Sequence, residues 1–181
     1  MKASIIESPG GNKGSVKSWL QRAGIECKFV SDSSAIYNSN LVVFPGNGTF
    51  SETIDWIEKK NLKKAILDYV ESKKLYIGIC IGMQIMFEIG LEGGEKDGLG
   101  ILEGVIQKLK VPRIGWKKVD LNSDNLIINS DYYFMHQYGF LENSNCLDFL
   151  KYKNSFLFQF HPEKSGASGD KLLKKILDNY V

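Results

Sequence analysis

Apolar positions along the chain fall into short continuous runs separated by stretches of helical spacing. Ala3-Ser4-Ile5-Ile6, Cys27-Lys28-Phe29-Val30 and Leu41-Val42-Val43-Phe44 read as strands, the last stopped by Pro45-Gly46-Asn47-Gly48. After a turn at Gly10-Gly11-Asn12, the residues Val16, Trp19, Leu20 and Ala23 recur on one helical face, and Gly24 closes that helix. A second helix is predicted near Asn61–Lys73, followed by a strand from Leu75 into Cys80. Strands alternating with helices predict an α/β fold on a parallel sheet, with sites beyond the carboxyl ends of its strands. Gly10-Gly11, Pro45–Gly48 and Cys80 all fall there. From about Gly98 the pattern changes to shorter, antiparallel-looking segments: Val105–Lys110, Trp116–Leu121, Tyr132–Met135 and Leu157–Phe160. A final helix is predicted over Asp170–Tyr180. With no repeat, low-complexity tract or linker, residues 1–181 are expected to form one domain.

The chemistry concentrates where the fourth strand ends. Leu75-Tyr76-Ile77-Gly78-Ile79-Cys80-Ile81-Gly82 closes in Gly-x-Cys-x-Gly, with a helix-like pattern after it. This is the pattern of a sharp strand-to-helix turn with a thiol at its apex and glycines that admit the cramped backbone. N–H groups at the start of the following helix would favour the thiolate. A buried structural cysteine is the ordinary alternative. The distant Phe160-His161-Pro162-Glu163 argues against it, because a thiol nucleophile needs an imidazole to move its proton and a carboxylate to fix the imidazole tautomer. Of the two histidines, His161 has a carboxylate two residues on, reachable from the same face of an extended segment; His136 has no Asp or Glu within three residues. Pro45-Gly46-Asn47-Gly48 lacks the Gly-Lys-Ser/Thr of a Walker loop. Beyond a plain turn, it suits an oxyanion hole in which an N–H near Asn47 or Gly48 acts with that of Ile81.

Bulk properties narrow the class. The 23 Lys+Arg against 21 Asp+Glu imply no general affinity for polyanions such as nucleic acid. Lys59, Lys60, Lys63 and Lys64, and Lys171, Lys174 and Lys175, read as solvated helix faces. Cys27, Cys80 and Cys146 are an odd, dispersed set that disfavours both a disulfide framework and a zinc site. The first residues are too short in apolar content for a signal peptide, and no run approaches the roughly 20 residues of a membrane span. A cytoplasmic protein without membrane contact is expected.

These motifs together resemble the class I, triad-type glutamine amidotransferases. More narrowly, the chain is similar to the glutaminase subunits of imidazole glycerol phosphate synthase in histidine biosynthesis. The resemblance runs nearly end to end. It is carried by Pro45–Phe50, Gly78–Gln84, Gly98-Leu99-Gly100, Val111-Pro112-Arg113-Ile114-Gly115-Trp116, Tyr133–Tyr138 and Gln159–Gly166. It implies a flavodoxin-like, mostly parallel sheet with flanking helices plus a smaller antiparallel sheet. It also implies Cys80 as nucleophile, His161 as general base and Glu163 as its orienter. Gly46, Gln84 and Glu92, with the backbone at His136, Gln137 and Tyr138, would hold L-glutamine. Arg113, Trp116, Lys117 and Lys164 would face a (β/α)8-barrel synthase subunit, the partner in a heterodimer that receives the ammonia. Neither a cofactor nor a metal is implied.

The departures from the family pattern are Glu7-Ser8-Pro9-Gly10-Gly11-Asn12 for the usual Asp-Tyr-Gly-x-Gly-Asn, Arg113 for His, Lys117 for Asn, and Gln137 for a small hydroxyl residue. None touches the triad. Several fall where the family meets its synthase, which leaves open a paralogous glutaminase feeding a sugar-amidinating synthase of surface glycans. A non-catalytic binding subunit and a cysteine peptidase or chaperone-like relative are the readings from other classes.

Overall fold

The computed structural model describes residues 1–10, 12–123 and 126–180, so Gly11 of the predicted first turn lies outside the described residues. The first half runs β1 (Lys2–Ile6), α1 (Lys13–Arg22), β2 (Glu26–Val30), α2 (Ser33–Tyr37), β3 (Leu41–Phe44), α3 (Phe50–Lys59), α4 (Lys63–Glu71), β4 (Leu75–Ile79) and α5 (Ile81–Gln84). The second half runs β5 (Phe87–Gly90), β6 (Lys96–Asp97), β7 (Leu102–Ser123), β8 (Leu126–Glu142), β9 (Asn145–Cys146), β10 (Phe149–Tyr152), β11 (Ser155–Phe158), a 3-10 turn (Pro162–Lys164) and α6 (Gly166–Tyr180).

The main sheet has the order β10-β11-β4-β3-β1-β2. All its pairs are parallel except the edge pair β10/β11. Without β10 this is the doubly wound order of flavodoxin-like folds. Residues Leu41–Phe44 and Leu75–Ile79 are buried throughout because helices or the second sheet cover both faces. On one side Ile5, Val43, Ile77 and Phe158 pack with Val16, Trp19 and Leu20 of α1 and Leu172, Leu173 and Ile176 of α6. On the other, Ile6, Val42, Phe44 and Tyr76 pack with α2, α3 and α4. The second sheet, β6-β5-β7-β8-β9, is antiparallel except for the β5/β7 pair.

Several sequence expectations change in detail. The predicted helix near Asn61–Lys73 is preceded by α3, which is N-capped by Thr49: its hydroxyl accepts from Glu52 N–H at 3.4 Å and donates to the Glu52 carboxylate at 2.8 Å. Val105–Lys110 and Trp116–Leu121 are parts of one strand, β7, whose register shifts between Lys108 and Arg113 around Pro112. Leu157–Phe160 does not join the small sheet. Its residues Leu157 and Phe158 belong to β11, which pairs parallel with β4 and carries the chain to the end of the main sheet, where His161 follows.

The indole N–H of Trp19 in α1 donates to Gly169 O in α6 at 3.1 Å, within the core. Trp19→Phe would keep the ring packing and leave that carbonyl unpaired. We expect a loss of about 1–3 kcal/mol, read as a lower urea midpoint with an unchanged slope.

Candidate active site

The elbow is real and strained. Cys80 has φ +49° and ψ −104°, outside the conformations a side-chain-bearing residue prefers. Three glycines make room for it. A Cβ on Gly46 would lie 2.6 Å from Cys80 Cβ, one on Gly78 2.4 Å from Gly82 O, and one on Gly82 2.5 Å from Phe44 O. The ends of β3 and β4 and the first turn after the thiol thus pack backbone against backbone. Cys80 N–H donates to Phe158 O at 2.7 Å, and Cys80 O accepts from Met83 and Gln84 N–H at 3.0 Å each. The helix after the thiol is the single turn α5, because the chain turns into β5. Its dipole is correspondingly small, and charge at the sulfur must be compensated elsewhere.

That compensation comes from His161, whose side chain is 1% exposed. Pro162 starts a 3-10 turn immediately after it, so Glu163 returns to the imidazole across a turn rather than along the extended segment predicted from the sequence. His161 Nδ1 lies 2.9 Å from Glu163 Oε1. Its pKa is pushed up to about 10: burial works downward, but interaction with the Cys80 sulfur and with Glu163 outweighs it. The turn is clamped to β8. Ser165 Oγ accepts from Tyr133 N–H at 3.0 Å and donates to His161 O at 2.6 Å, while His161 N–H donates to Tyr133 O at 2.8 Å.

The cleft over the thiol, about 60 Å³, is lined by Gly46, Asn47, Gly48, Cys80, Gln84, Glu92, Met135, His136, Gln137, Tyr138 and His161. Gln84 is buried, and both hydrogens of its Nε2 are engaged, by Tyr138 O at 2.7 Å and Gln159 Oε1 at 3.1 Å. It therefore meets a ligand through its oxygen, as an acceptor. Glu92 accepts from Phe50 N–H at 3.2 Å at the start of α3; burial first, and Glu52 next to it, raise its pKa against that hydrogen bond. Asn47 turns its amide to Gly10 O, which ties the loops after β3 and β1 together, and Gly48 has φ +100°. Ile81 is buried and does not line the cleft, so it can contribute only its backbone N–H.

Three larger hollows, about 390 Å³ beside Lys2, Cys27 and Ser39, about 430 Å³ between Arg22 and Leu177 and about 130 Å³ beside Ser130 and Ser168, are lined by no histidine among the described residues. Of these four, the small cleft alone is lined by both a cysteine and a histidine. A thiol beside a protonated imidazole with a carboxylate behind it can attack a carbonyl and protonate an amine leaving group.

The four residues expected on a partner face separate. Trp116 and Lys117 are exposed, and Lys164 is partly exposed on the turn beside Glu163. Arg113 instead turns inward: its guanidinium stacks over the Phe134 ring at 4.2 Å and pairs with Asp148. The pairing with Asp148, 35 residues away, had no local sequence signal. Met135 and Gln159 were assigned no role from sequence. Gln159 was legible in principle, since it lies two residues before His161 on an extended segment and shares its face.

His136 is the electrostatic opposite of His161. Its Nδ1 faces Tyr138 O at 2.8 Å; a carbonyl only accepts, so this nitrogen carries the hydrogen and Nε2 is bare. Burial first, helped by the Arg113 charge and His161, lowers its pKa to about 4. A depressed histidine stays neutral in the native state while the unfolded chain takes up a proton. Stability is therefore lost as pH falls from about 6.5 toward 4. For His161, with its raised pKa, the stabilisation is complete below about 6.5 and is lost as pH rises toward 10. We expect His136→Asn, which retains a donor for Tyr138 O, to flatten the acid limb by on the order of 2–3 kcal/mol. Urea midpoints between pH 7 and 4.5 would show it.

Residues 18–123 match the family described as CobB/CobQ-like glutamine amidotransferase domain. Imidazole glycerol phosphate synthase subunit HisH of Caldanaerobacter subterraneus subsp. tengcongensis is 35% identical over 94% of this chain and 94% of its own. That of Rhodopirellula baltica is 32% identical over 95% of each. Among solved structures, a glutamine amidotransferase superposes with a TM-score of 0.78 at 17% identity, covering 97% of both chains. PurLQS from Thermotoga maritima superposes with a TM-score of 0.71 at 21% identity, covering 98% of both. The chain belongs to the class I glutamine amidotransferase family, alongside the HisH subunits.

Proposed function

We propose that the chain is one glutamine amidotransferase domain that hydrolyses L-glutamine to glutamate and ammonia for an imidazole glycerol phosphate synthase in histidine biosynthesis. The observation that carries the reading is the Cys80–His161–Glu163 arrangement at the strained elbow, opening on a cleft lined by Gln84, Glu92 and the loop Gly46-Asn47-Gly48. In this reading the Cys80 thiolate attacks the carboxamide carbon of glutamine. The developing oxyanion is met by N–H groups of Asn47 or Gly48 and Ile81. His161 gives its proton to the departing nitrogen, and ammonia leaves a γ-glutamyl thioester on Cys80. Water then adds to the thioester, His161 takes its proton, and glutamate leaves as the thiolate is restored. Glu163 keeps the imidazole oriented throughout. The oxygen of Gln84 and the Glu92 carboxylate suit the α-ammonium end of the substrate, and the backbone at His136, Gln137 and Tyr138 suits its carboxylate.

A partner that takes up the ammonia finds support in the surface beside the cleft. Ile114 lies across from Met135 and Trp116 across from Tyr133 on β7 and β8. Val111, Ile114 and Trp116 are 73%, 65% and 58% exposed, and Met135 also lines the cleft. An apolar ribbon that reaches the site suits the (β/α)8-barrel subunit implied by the family resemblance, with Lys117 and Lys164 at its margin. Arg113, engaged by Asp148 and Phe134, is largely turned away from such a partner, which weakens one of the departures, with Lys117 and the altered Glu7–Asn12 segment, that favoured a sugar-amidinating synthase.

We expect glutamate release to be slow for the isolated chain and strongly stimulated by the organism's own histidine-pathway cyclase with its nucleotide ligand. Fast release by the chain alone would contradict the coupling, and no stimulation of a folded protein would point to another synthase. Cys80→Ala should lower stimulated release by at least about a thousandfold without loss of binding to the cyclase. Trp116→Ala should weaken binding and spare the thiol's reactivity.

A further inference from the structure

Gln159 is fully buried between the base and the cleft wall, and the orientation of its amide follows from a single backbone carbonyl. Tyr138 O can only accept, so the Gln84 atom 2.7 Å from it is the nitrogen. The second hydrogen of that nitrogen reaches Gln159 Oε1 at 3.1 Å. Gln159 must then present its own nitrogen on the other side, where Nε2 lies 3.7 Å from Cys80 Sγ, within hydrogen-bonding range of sulfur. Its backbone is fixed independently, with Gln159 N–H donating to Asp148 O at 2.9 Å. The room for this amide comes from Gly139, where a Cβ would lie 3.3 Å from Gln159 Oε1 and 2.7 Å from Cys146 Sγ.

We propose that Gln159 is a catalytic residue of this site: its Nε2–H donates to the Cys80 sulfur and stabilises the thiolate, both as the resting nucleophile and as the group expelled when the thioester breaks. The proposal rests on Cys80 being the nucleophile. No bond to Gln159 forms or breaks. The hydrogen bond strengthens when the sulfur is charged and weakens when it carries the acyl group, because donors bind anions better than neutral sulfur. The low dielectric of the buried site magnifies this difference. His161 then supplies positive charge on one side of the sulfur and Gln159 a neutral donor on another. The donor cannot lose its proton, so it holds the thiolate while His161 is giving its own away. Gln84 links this donor to the cleft, since the hydrogen that orients Gln159 comes from a side chain whose oxygen faces the substrate.

The test is the pH dependence of Cys80 alkylation by iodoacetamide, read by peptide mass spectrometry so that Cys27 and Cys146 do not contribute. It is paired with glutamate release by the chain assembled with its cyclase. Gln159→Met keeps the length and removes the donor. We expect the alkylation midpoint to rise by about one pH unit. Release should fall by up to about tenfold at pH values below the wild-type midpoint, with the deficit shrinking above the raised midpoint as the thiolate is recovered. Gln159→Glu is nearly isosteric, still accepts from Gln84 and turns a carboxylate oxygen to the sulfur; its midpoint should rise further. It decides the matter if Gln159→Met fails to fold. Midpoints equal to wild type in a folded variant would overturn the proposal, as would a deficit independent of pH. Undiminished release by Cys80→Ala would instead overturn the nucleophile assignment, and the alkylation midpoints would still report whether Gln159 donates to the sulfur.

Discussion

The backbone of Cys80 is the constraint on which the rest of the structure depends. A side-chain-bearing residue at φ +49° and ψ −104° costs of order 1–3 kcal/mol and persists only if its surroundings permit nothing else. Here β3 and β4 converge with less than a methyl group's space between Gly46 and Cys80, Gly78 and Gly82, and Gly82 and Phe44. The Phe158 carbonyl holds the Cys80 N–H from the neighbouring strand β11. That strand continues into Gln159 and His161, so the bond that fixes the thiol's backbone also fixes the position of its base.

The second organising feature is the treatment of two buried histidines. His161 gains the Glu163 carboxylate and the Cys80 sulfur and is held charged; His136 gains a carbonyl and a nearby Arg113 and is held neutral. Burial alone would neutralise both. The difference therefore lies in their partners, and those are set by the 3-10 turn at Pro162 and by β8 respectively. The Ser165 hydroxyl joins these two elements, receiving a hydrogen from Tyr133 and giving one to His161 O. A neutral His136 beside a charged His161 avoids placing two like charges in one low-dielectric cleft.

Much of this was legible in the chain. The Gly-x-Cys-x-Gly pattern encodes the elbow because only glycine tolerates backbone contacts of 2.4–2.6 Å at its Cβ position. The alternation of apolar runs with helical spacing gave the parallel sheet, and the residues expected around glutamine do line one cleft. What was not legible depends on distant pairing. Arg113 reads as a surface residue by type, but Asp148 and Phe134 draw it inward. Leu157 and Phe158 have the same apolar look as β8, and only the pairing with β4 assigns them to the main sheet. The short reach of α5 follows from β5 claiming the chain at Phe87, where residues of a helix and of a buried strand are alike apolar.

The site's chemistry turns on a His161 ring that stays protonated beside the Cys80 sulfur before any substrate arrives. With two histidines in the chain, nitrogen-15 NMR of histidine-labelled protein can address it directly. At pH 8 the expected spectrum has one ring with both nitrogens protonated, assigned to His161 by its loss in His161→Asn, and one neutral ring protonated at Nδ1, that of His136. Two neutral rings at pH 8 would contradict it.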